Sequence, residues 1–254
     1  MALKISGRGN VPPFIVMDVL AAANARAAAG HAVYHLEVGQ PATPAPRGVI
    51  EAARRALDGE RLGYTEALGI PPLRQRIARH YRDWYGVAVD PARIVVTTGS
   101  SGGFLLAFLA AFDAGDRVAL AAPGYPAYRN ILVALGIETV SIPVGANTRF
   151  QPTSGLLASL PHAVDGLIVA SPSNPTGTML DRAALQSLVG ECALRGIRLV
   201  SDEIYHGIVY GEKAHSALEF TDQAIVINSF SKYFSMTGWR LGWMVLPPDL
   251  VRPA

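Results

Sequence analysis

The sequence predicts an α/β fold: a three-layer sandwich built on a mostly parallel, seven-stranded sheet. Two observations predict it. From Arg93 onward, short apolar runs alternate with helical segments, and strand followed by helix, repeated, is the pattern of a parallel sheet covered on both faces. Half of the 254 residues are hydrophobic and only 17% are charged, which supplies the buried core that such a sheet requires. The length suits one large domain or two small ones.

Before Arg93 the chain is less regular. Residues 14–29 are apolar and alanine-rich, and Gly30 can end them as a helix. A short extended piece, Leu36-Glu37-Val38-Gly39-Gln40-Pro41, is broken by its glycine and proline, and the Pro-rich stretch 41–46 is the best linker candidate. Residues 49–57 suit a helix, and the loop from Tyr64 to Gly69 leads into another over 73–85. Strands are expected at 94–98, 117–121, 139–142, 166–170, 198–201, 224–228 and 241–245, with helices over 103–112, 127–135 and 182–195 between several of them. No internal repeat or low-complexity segment stands out.

Composition narrows the function. The formal charge is +2 with no basic run, so nothing points to a nucleic-acid surface. A single cysteine, Cys192, excludes an intramolecular disulfide framework and fits a reducing compartment. The first ten residues carry basic groups with no apolar stretch behind them, so no signal peptide is expected. The longest apolar run, 104–112, is too short to span a bilayer. These features lead to the expectation of a soluble, cytoplasmic protein without a metal site.

In a sheet of this kind the ligand sits beyond the carboxyl ends of the strands, and the residues there are chemically loaded. Lys232 follows the apolar run Ala224-Ile225-Val226-Ile227 and is one of three lysines, with Lys4 and Lys213. Apolar walls and a nearby cation such as Arg240 would lower its pKa and make it a nucleophile or Schiff-base former; alone, it reads more readily as a lysine pointing to solvent. Gly99-Ser100-Ser101-Gly102 opens a helix with free N–H groups and two hydroxyls, either a phosphate cradle or an ordinary N-cap. Tyr125 and Tyr128, in Pro123-Gly124-Tyr125-Pro126-Ala127-Tyr128, can stack on a flat heterocycle or pack the core. The prolines of Ser171-Pro172-Ser173-Asn174-Pro175-Thr176-Gly177 force a non-helical turn that holds Asn174 and admits cis peptides. Asp202 closes a buried strand, where it needs a cationic partner such as a protonated ring nitrogen, unless it caps the next helix; Tyr205 can reach the same place. The sixth strand delivers Ser229, Ser231 and Lys232, and Arg240 has the fork that suits a phosphate dianion or a surface ion pair.

Together, Gly39-Gln40-Pro41, Gly63-Tyr64-Thr65, the Gly99–Gly102 turn, Ser171 to Gly177, Asp202-Glu203-Ile204-Tyr205 and Ser229 to Gly242 resemble the motifs of fold-type I pyridoxal-phosphate enzymes, specifically the class I/II (aspartate-type) aminotransferases, in order over nearly the whole chain. The resemblance implies that Lys232 carries pyridoxal 5'-phosphate as a Schiff base and later shuttles the substrate's α-proton. It implies that Asp202 keeps the pyridine nitrogen protonated, with Asn174 and Tyr205 on the phenolic oxygen and Tyr125 stacked on the ring. Ser100, Ser101, Ser229 and Arg240 would hold the phosphate. Tyr64 would reach the phosphate of the neighbouring subunit in a homodimer, and Gly39 and Asn174 would meet the substrate. Lys232, Asp202 and Tyr205 would then be the catalytic residues of a ping-pong transfer between an amino acid and a 2-oxo acid.

Two other functions fit the same motifs: a carbon–sulfur β-lyase, since one scaffold hosts several reactions, and a non-catalytic cofactor-binding domain of a sensor. The resemblance also sets domains: residues 1–46 as N-terminal arm and part of a small domain, and 47–254 as the large cofactor-binding domain. Members of the family run on for roughly a hundred residues or more. The expectation is therefore an incomplete small domain, lacking the arginine that grips the substrate carboxylate and leaving Phe14, Val16, Val19 and Leu20 short of packing partners.

Overall fold

The computed structural model describes residues 3–254. Three helices come first: α1 (Ile15–Ala28), α2 (Arg47–Gly59) and α3 (Pro71–Tyr85). The sheet follows as β1 (Ile94–Thr97), α4 (Gly99–Ala111), β2 (Arg117–Ala122), α5 (Pro126–Ala134), β3 (Glu138–Pro143), α6 (Ser154–Ala158), β4 (Gly166–Ala170), α7 (Arg182–Arg195), β5 (Arg198–Asp202), β6 (Ile225–Ser229), β7 (Gly242–Val245) and α8 (Pro248–Val251). All seven expected strands form, with ends moved by a residue or two.

The sheet order is β1-β7-β6-β5-β4-β2-β3. The pairs β2 with β3, β2 with β4, β4 with β5 and β5 with β6 are parallel. Strand β7 runs antiparallel to both β1 and β6, so six strands point one way and one points back. The carboxyl ends of β1, β2, β4, β5 and β6 therefore open on one edge of the sheet.

Both faces are covered. On one, Trp243, Val245, Val226, Leu199 and Leu167 pack with Ile77 and Tyr81 of α3 and with Leu185 and Leu188 of α7. On the other, Met244, Ile227, Val200, Ile168 and Val118 pack with Phe104 and Phe108 of α4 and Leu132 of α5. Successive residues of β7 alternate between the two cores, as the pleat demands. Trp243 Nε1–H donates to the Tyr81 hydroxyl at 3.0 Å, which satisfies an indole buried to 2% exposure. Cys192 lies buried on α7. No helix among the described residues is long and apolar enough to cross a membrane.

One helix end differs from the sequence expectation. Helix α4 starts at Gly99, not Gly103, so the whole Gly-Ser-Ser-Gly motif lies in its first turn. Helix α1 buries none of its residues: Val19 is exposed, while Val16 and Leu20, with Phe14 just before the helix, are half-buried.

Gly166 begins β4 where Phe112, at the end of α4, leaves no space: a Cβ would stand 2.4 Å from the ring. Overpacking of this kind costs about 1–3 kcal/mol. Gly166→Ala should lower the free energy of urea unfolding by that amount, with little change in the slope against urea.

Candidate active site

The open edge of the sheet gathers the residues singled out in the sequence. Asp202 is the last residue of β5 and is 5% exposed. Its Oδ1 accepts from the Ile204 backbone N–H at 3.0 Å, and its Oδ2 accepts a short hydrogen bond from the Tyr128 hydroxyl. It forms no salt bridge among the described residues. Burial raises its pKa to about 6, against the opposing effects of Tyr128, the Ile204 N–H and the Lys232 charge.

Lys232 follows β6 and is half-buried. Its Nζ donates to the Gly39 carbonyl at 2.6 Å and lies 5.8 Å from the centroid of the Tyr205 ring. Burial lowers its pKa, and the positive charge of Arg240 lowers it further, while Asp202 pulls it back up. Arg240, the nearby cation read from the sequence, is among the causes of that shift.

Arg240 adopts a left-handed backbone, φ 52°, and its Nη1 donates to the Thr237 carbonyl at 2.9 Å. The guanidinium lies against the start of α4: a Cβ on Gly99 would stand 2.3 Å from it. Gly99 itself has φ +81°, a conformation that side chains rarely adopt. Next to it, a Cβ on Gly242 would stand 2.9 Å from the Gly99 carbonyl carbon and 3.0 Å from the Ser100 nitrogen. These bare positions let β7 and Arg240 close on the N-terminus of α4, where the free N–H groups and the helix dipole favour an anion. Ser100 is half-buried in this turn and Ser101 is exposed. Ser229 is buried instead: its Oγ donates within the corner to the Leu241 carbonyl at 3.0 Å or to Ser231 Oγ at 2.8 Å, and accepts from the Ser231 N–H at 3.0 Å.

The loop after β4 contains two of the three cis peptide bonds among the described residues, Ser171-Pro172 and Asn174-Pro175; the third is Ala122-Pro123. Asn174 Nδ2 donates to the Tyr205 hydroxyl at 3.3 Å. Burial, followed by the Asp202 charge, raises the Tyr205 pKa. Tyr125, before α5, meets Phe14 edge-on at 5.9 Å and Tyr128 at 5.3 Å. A cavity of about 380 Å³ lies beside it, lined by Pro12, Phe14, Val16, Tyr125 and Asn174 among others. Tyr64 stands fully exposed before α3. No cluster of metal-ligating side chains occurs among the described residues.

Residues 32–253 match the model of the family described as aminotransferase class I and II. The chain belongs to the class I and II aminotransferases. It is 52% identical, over 99% of its length, to a valine–pyruvate aminotransferase of Mycobacterium tuberculosis, of which it covers 66%. It superposes with a TM-score of 0.96 on an aminotransferase crystal structure from that organism, at 51% identity over 99% of this chain and 66% of the other. A second aminotransferase structure, from Silicibacter pomeroyi, gives 0.90 at 57% identity over 98% and 64%. The chain thus spans about two thirds of the length of these relatives. Class I and II aminotransferases depend on pyridoxal phosphate.

Several residues of this site carried little sequence signal. Tyr128 was visible only as an aromatic three residues after Tyr125. Gln151, 2% exposed, donates from Nε2 to the carbonyls of Ala170 at 3.2 Å and Thr178 at 2.7 Å, stapling the Asn174 loop. Behind the site, Glu203 Oε1 accepts from Ser201 Oγ at 3.2 Å, Ser216 Oγ at 3.0 Å and the Ala217 N–H at 2.9 Å, while Oε2 has no partner.

Burial raises the Glu203 pKa from 4.5 to about 8. A raised carboxyl pKa stabilises the fold fully below the unfolded value and loses that contribution as pH rises through the folded one. Asp202 contributes the same trend only up to about pH 6. From pH 6 to 8 Glu203 contributes a decline of at most about 2.7 kcal/mol, the limit for one proton over two pH units, against an opposite trend from His80 and His206, whose pKa values burial lowers to about 4. Urea unfolding at the two pH values should show the parent losing stability relative to Glu203→Gln by up to that amount as the pH rises from 6 to 8.

Proposed function

We propose that this chain forms the pyridoxal-phosphate-binding part of an aminotransferase that moves an amino group between an aliphatic amino acid and a 2-oxo acid by a ping-pong mechanism. The observation that carries the reading is the pairing of a buried Asp202 lacking a salt bridge with a half-buried Lys232 whose pKa is lowered. The residues present fit the cofactor. Asp202 has a buried negative charge to offer a protonated ring nitrogen, and the glycines at 99 and 242 let Arg240 and β7 approach the first turn of α4, where a phosphate would meet both a cation and free N–H groups.

When bound, pyridoxal phosphate supplies a carbonyl carbon that condenses with amines and a ring that withdraws electrons from the substrate's α-carbon. Lys232 Nζ anchors it, and its lowered pKa leaves more of the amine unprotonated and nucleophilic near neutrality. The same Nζ is the base that takes the α-proton of the amino acid. Asp202 holds positive charge at the ring nitrogen, and Tyr128 keeps that carboxylate oriented. Asn174 and Tyr205 donate toward the phenolic oxygen. Tyr125 covers the ring and excludes water. Arg240, Ser100 and Ser101 hold the phosphate end, Ser229 braces that corner through the Leu241 carbonyl, and Gly39 and Asn174 meet the substrate.

The aliphatic preference rests on the name of the 52%-identical relative and on the apolar wall of Pro12, Phe14 and Val16 beside Tyr125 and Asn174. In this reading residues 1–46 are the arm and part of a small domain, and residues 47–254 are the cofactor-binding domain. The working unit is a cytoplasmic homodimer, with the exposed Tyr64 reaching the phosphate of the neighbouring subunit.

Borohydride reduction of the protein with pyridoxal phosphate should fix the cofactor to Lys232, located by peptide mapping. A label on Lys213 or Lys4, or none, would rule out the assignment. With valine added, the visible band should fade as the corresponding 2-oxo acid appears. Removing the Asp202 charge should slow the proton abstraction more than it weakens cofactor retention. In Asp202→Ala the rate of that fading should drop by about two to three orders of magnitude, the size of a 3–4 kcal/mol electrostatic contribution. Near-parent rates would remove Asp202 from the mechanism.

A further inference from the structure

His206, which the mechanism above does not use, lies one residue beyond Tyr205 with its side chain 2% exposed. Its Nε2 is 2.9 Å from the Ser171 carbonyl oxygen. A carbonyl only accepts, so Nε2 carries the hydrogen. Its Nδ1 is 2.8 Å from the Tyr85 hydroxyl of α3. With the hydrogen on Nε2, a neutral imidazole must accept at Nδ1, and Tyr85 donates. Burial keeps the ring neutral by lowering its pKa to about 4. The charged or titratable groups around it are Glu203 of the same turn, with Oε2 3.7 Å from Nδ1, Tyr85 and His80 of α3, and His215 and Glu219 ahead of β6.

Ser171 opens the loop that carries Asn174, and His206 continues the turn that carries Tyr205. The imidazole therefore ties together, from behind, the two segments whose side chains meet in front. The front contact is long, 3.3 Å from Asn174 Nδ2 to the Tyr205 hydroxyl, and a long contact cannot hold two loops in register alone.

We propose that His206, fixed in one tautomer by Tyr85, is a positioning residue that sets the Asn174–Tyr205 pair by clamping the Ser171 carbonyl. The inference rests on the reading that this pair faces the phenolic oxygen of pyridoxal phosphate. Donors to an anionic oxygen favour the form of the cofactor in which that oxygen is charged, so their loss moves the cofactor's titration upward.

The test is a pH titration of the visible absorption of the pyridoxal-phosphate-loaded protein. In His206→Leu the midpoint should rise by about one pH unit. In His206→Gln, whose amide nitrogen can donate from nearly the same place as Nε2, it should return toward the parent value. Tyr85→Phe should move it in the same direction by less. A purely structural role for His206 would not be rescued by Gln. An unchanged midpoint in His206→Leu overturns the proposal, and should that variant not fold, an unchanged midpoint in Tyr85→Phe does so. A parent protein that gives no visible band with pyridoxal phosphate sinks the cofactor reading instead. The clamp is then decided in the cofactor-free protein by the side-chain amide resonances of Asn174. These should shift in Tyr85→Phe and in His206→Leu, and recover in His206→Gln; resonances unchanged in Tyr85→Phe overturn it.

Discussion

Burying a carboxylate at the end of a central strand is the constraint around which this structure is arranged. An ionised carboxylate taken from water into a protein interior is expensive unless charges and donors compensate. Asp202 is buried at the end of β5, between β4 and β6 in the sheet. The protein offers it one hydroxyl from Tyr128, one backbone N–H and the more distant charge of Lys232. These do not restore its ordinary pKa. The deficit is a standing demand for a cation.

A second constraint is steric. The N-terminus of α4 is a useful anion seat only if something cationic can approach it closely. Gly99 and Gly242 remove the two side chains that would block that approach, and Arg240 occupies the space against Gly99 with a backbone turned into the left-handed region. Strand β7, inserted between β1 and β6, holds the three parts together: it follows Arg240 directly, pairs with the strand that leads into α4, and pairs with the strand that leads to Lys232.

How much of this was legible depended on how local each cause is. The strands, Lys232, Asp202, Asn174 and Arg240 could be read because each follows an apolar run or sits in a turn with proline and glycine, where the physics lies within a few residues. The start of α4 was misplaced because Gly-Ser-Ser-Gly has low helix propensity; the turn forms against Arg240 and β7, which are distant in sequence. The reversal of β7 was not legible, since an apolar run reads the same in either direction. Tyr128 lies 74 residues from Asp202, and neither Gln151 nor His206 has any pattern that reveals the carbonyl it clamps. Ser229 shows the converse: it neighbours Lys232 in sequence, yet its hydroxyl is committed inside the corner.

The strand order has a consequence for how the chain is made. Ile94 of β1 pairs with Val245 of β7, and β1 has no other neighbour in the sheet. During vectorial synthesis β1 therefore leaves the ribosome about 150 residues before the strand that will shelter it. Until then its N–H and C=O groups form an open edge of the kind that recruits foreign strands. Closing such a distant pairing is also slow, because the loop entropy is spent before the contacts reward it. The strand that brings Arg240 to the start of α4 is thus also the one that covers the facing edges of β1 and β6, so both closures arrive in the same late event.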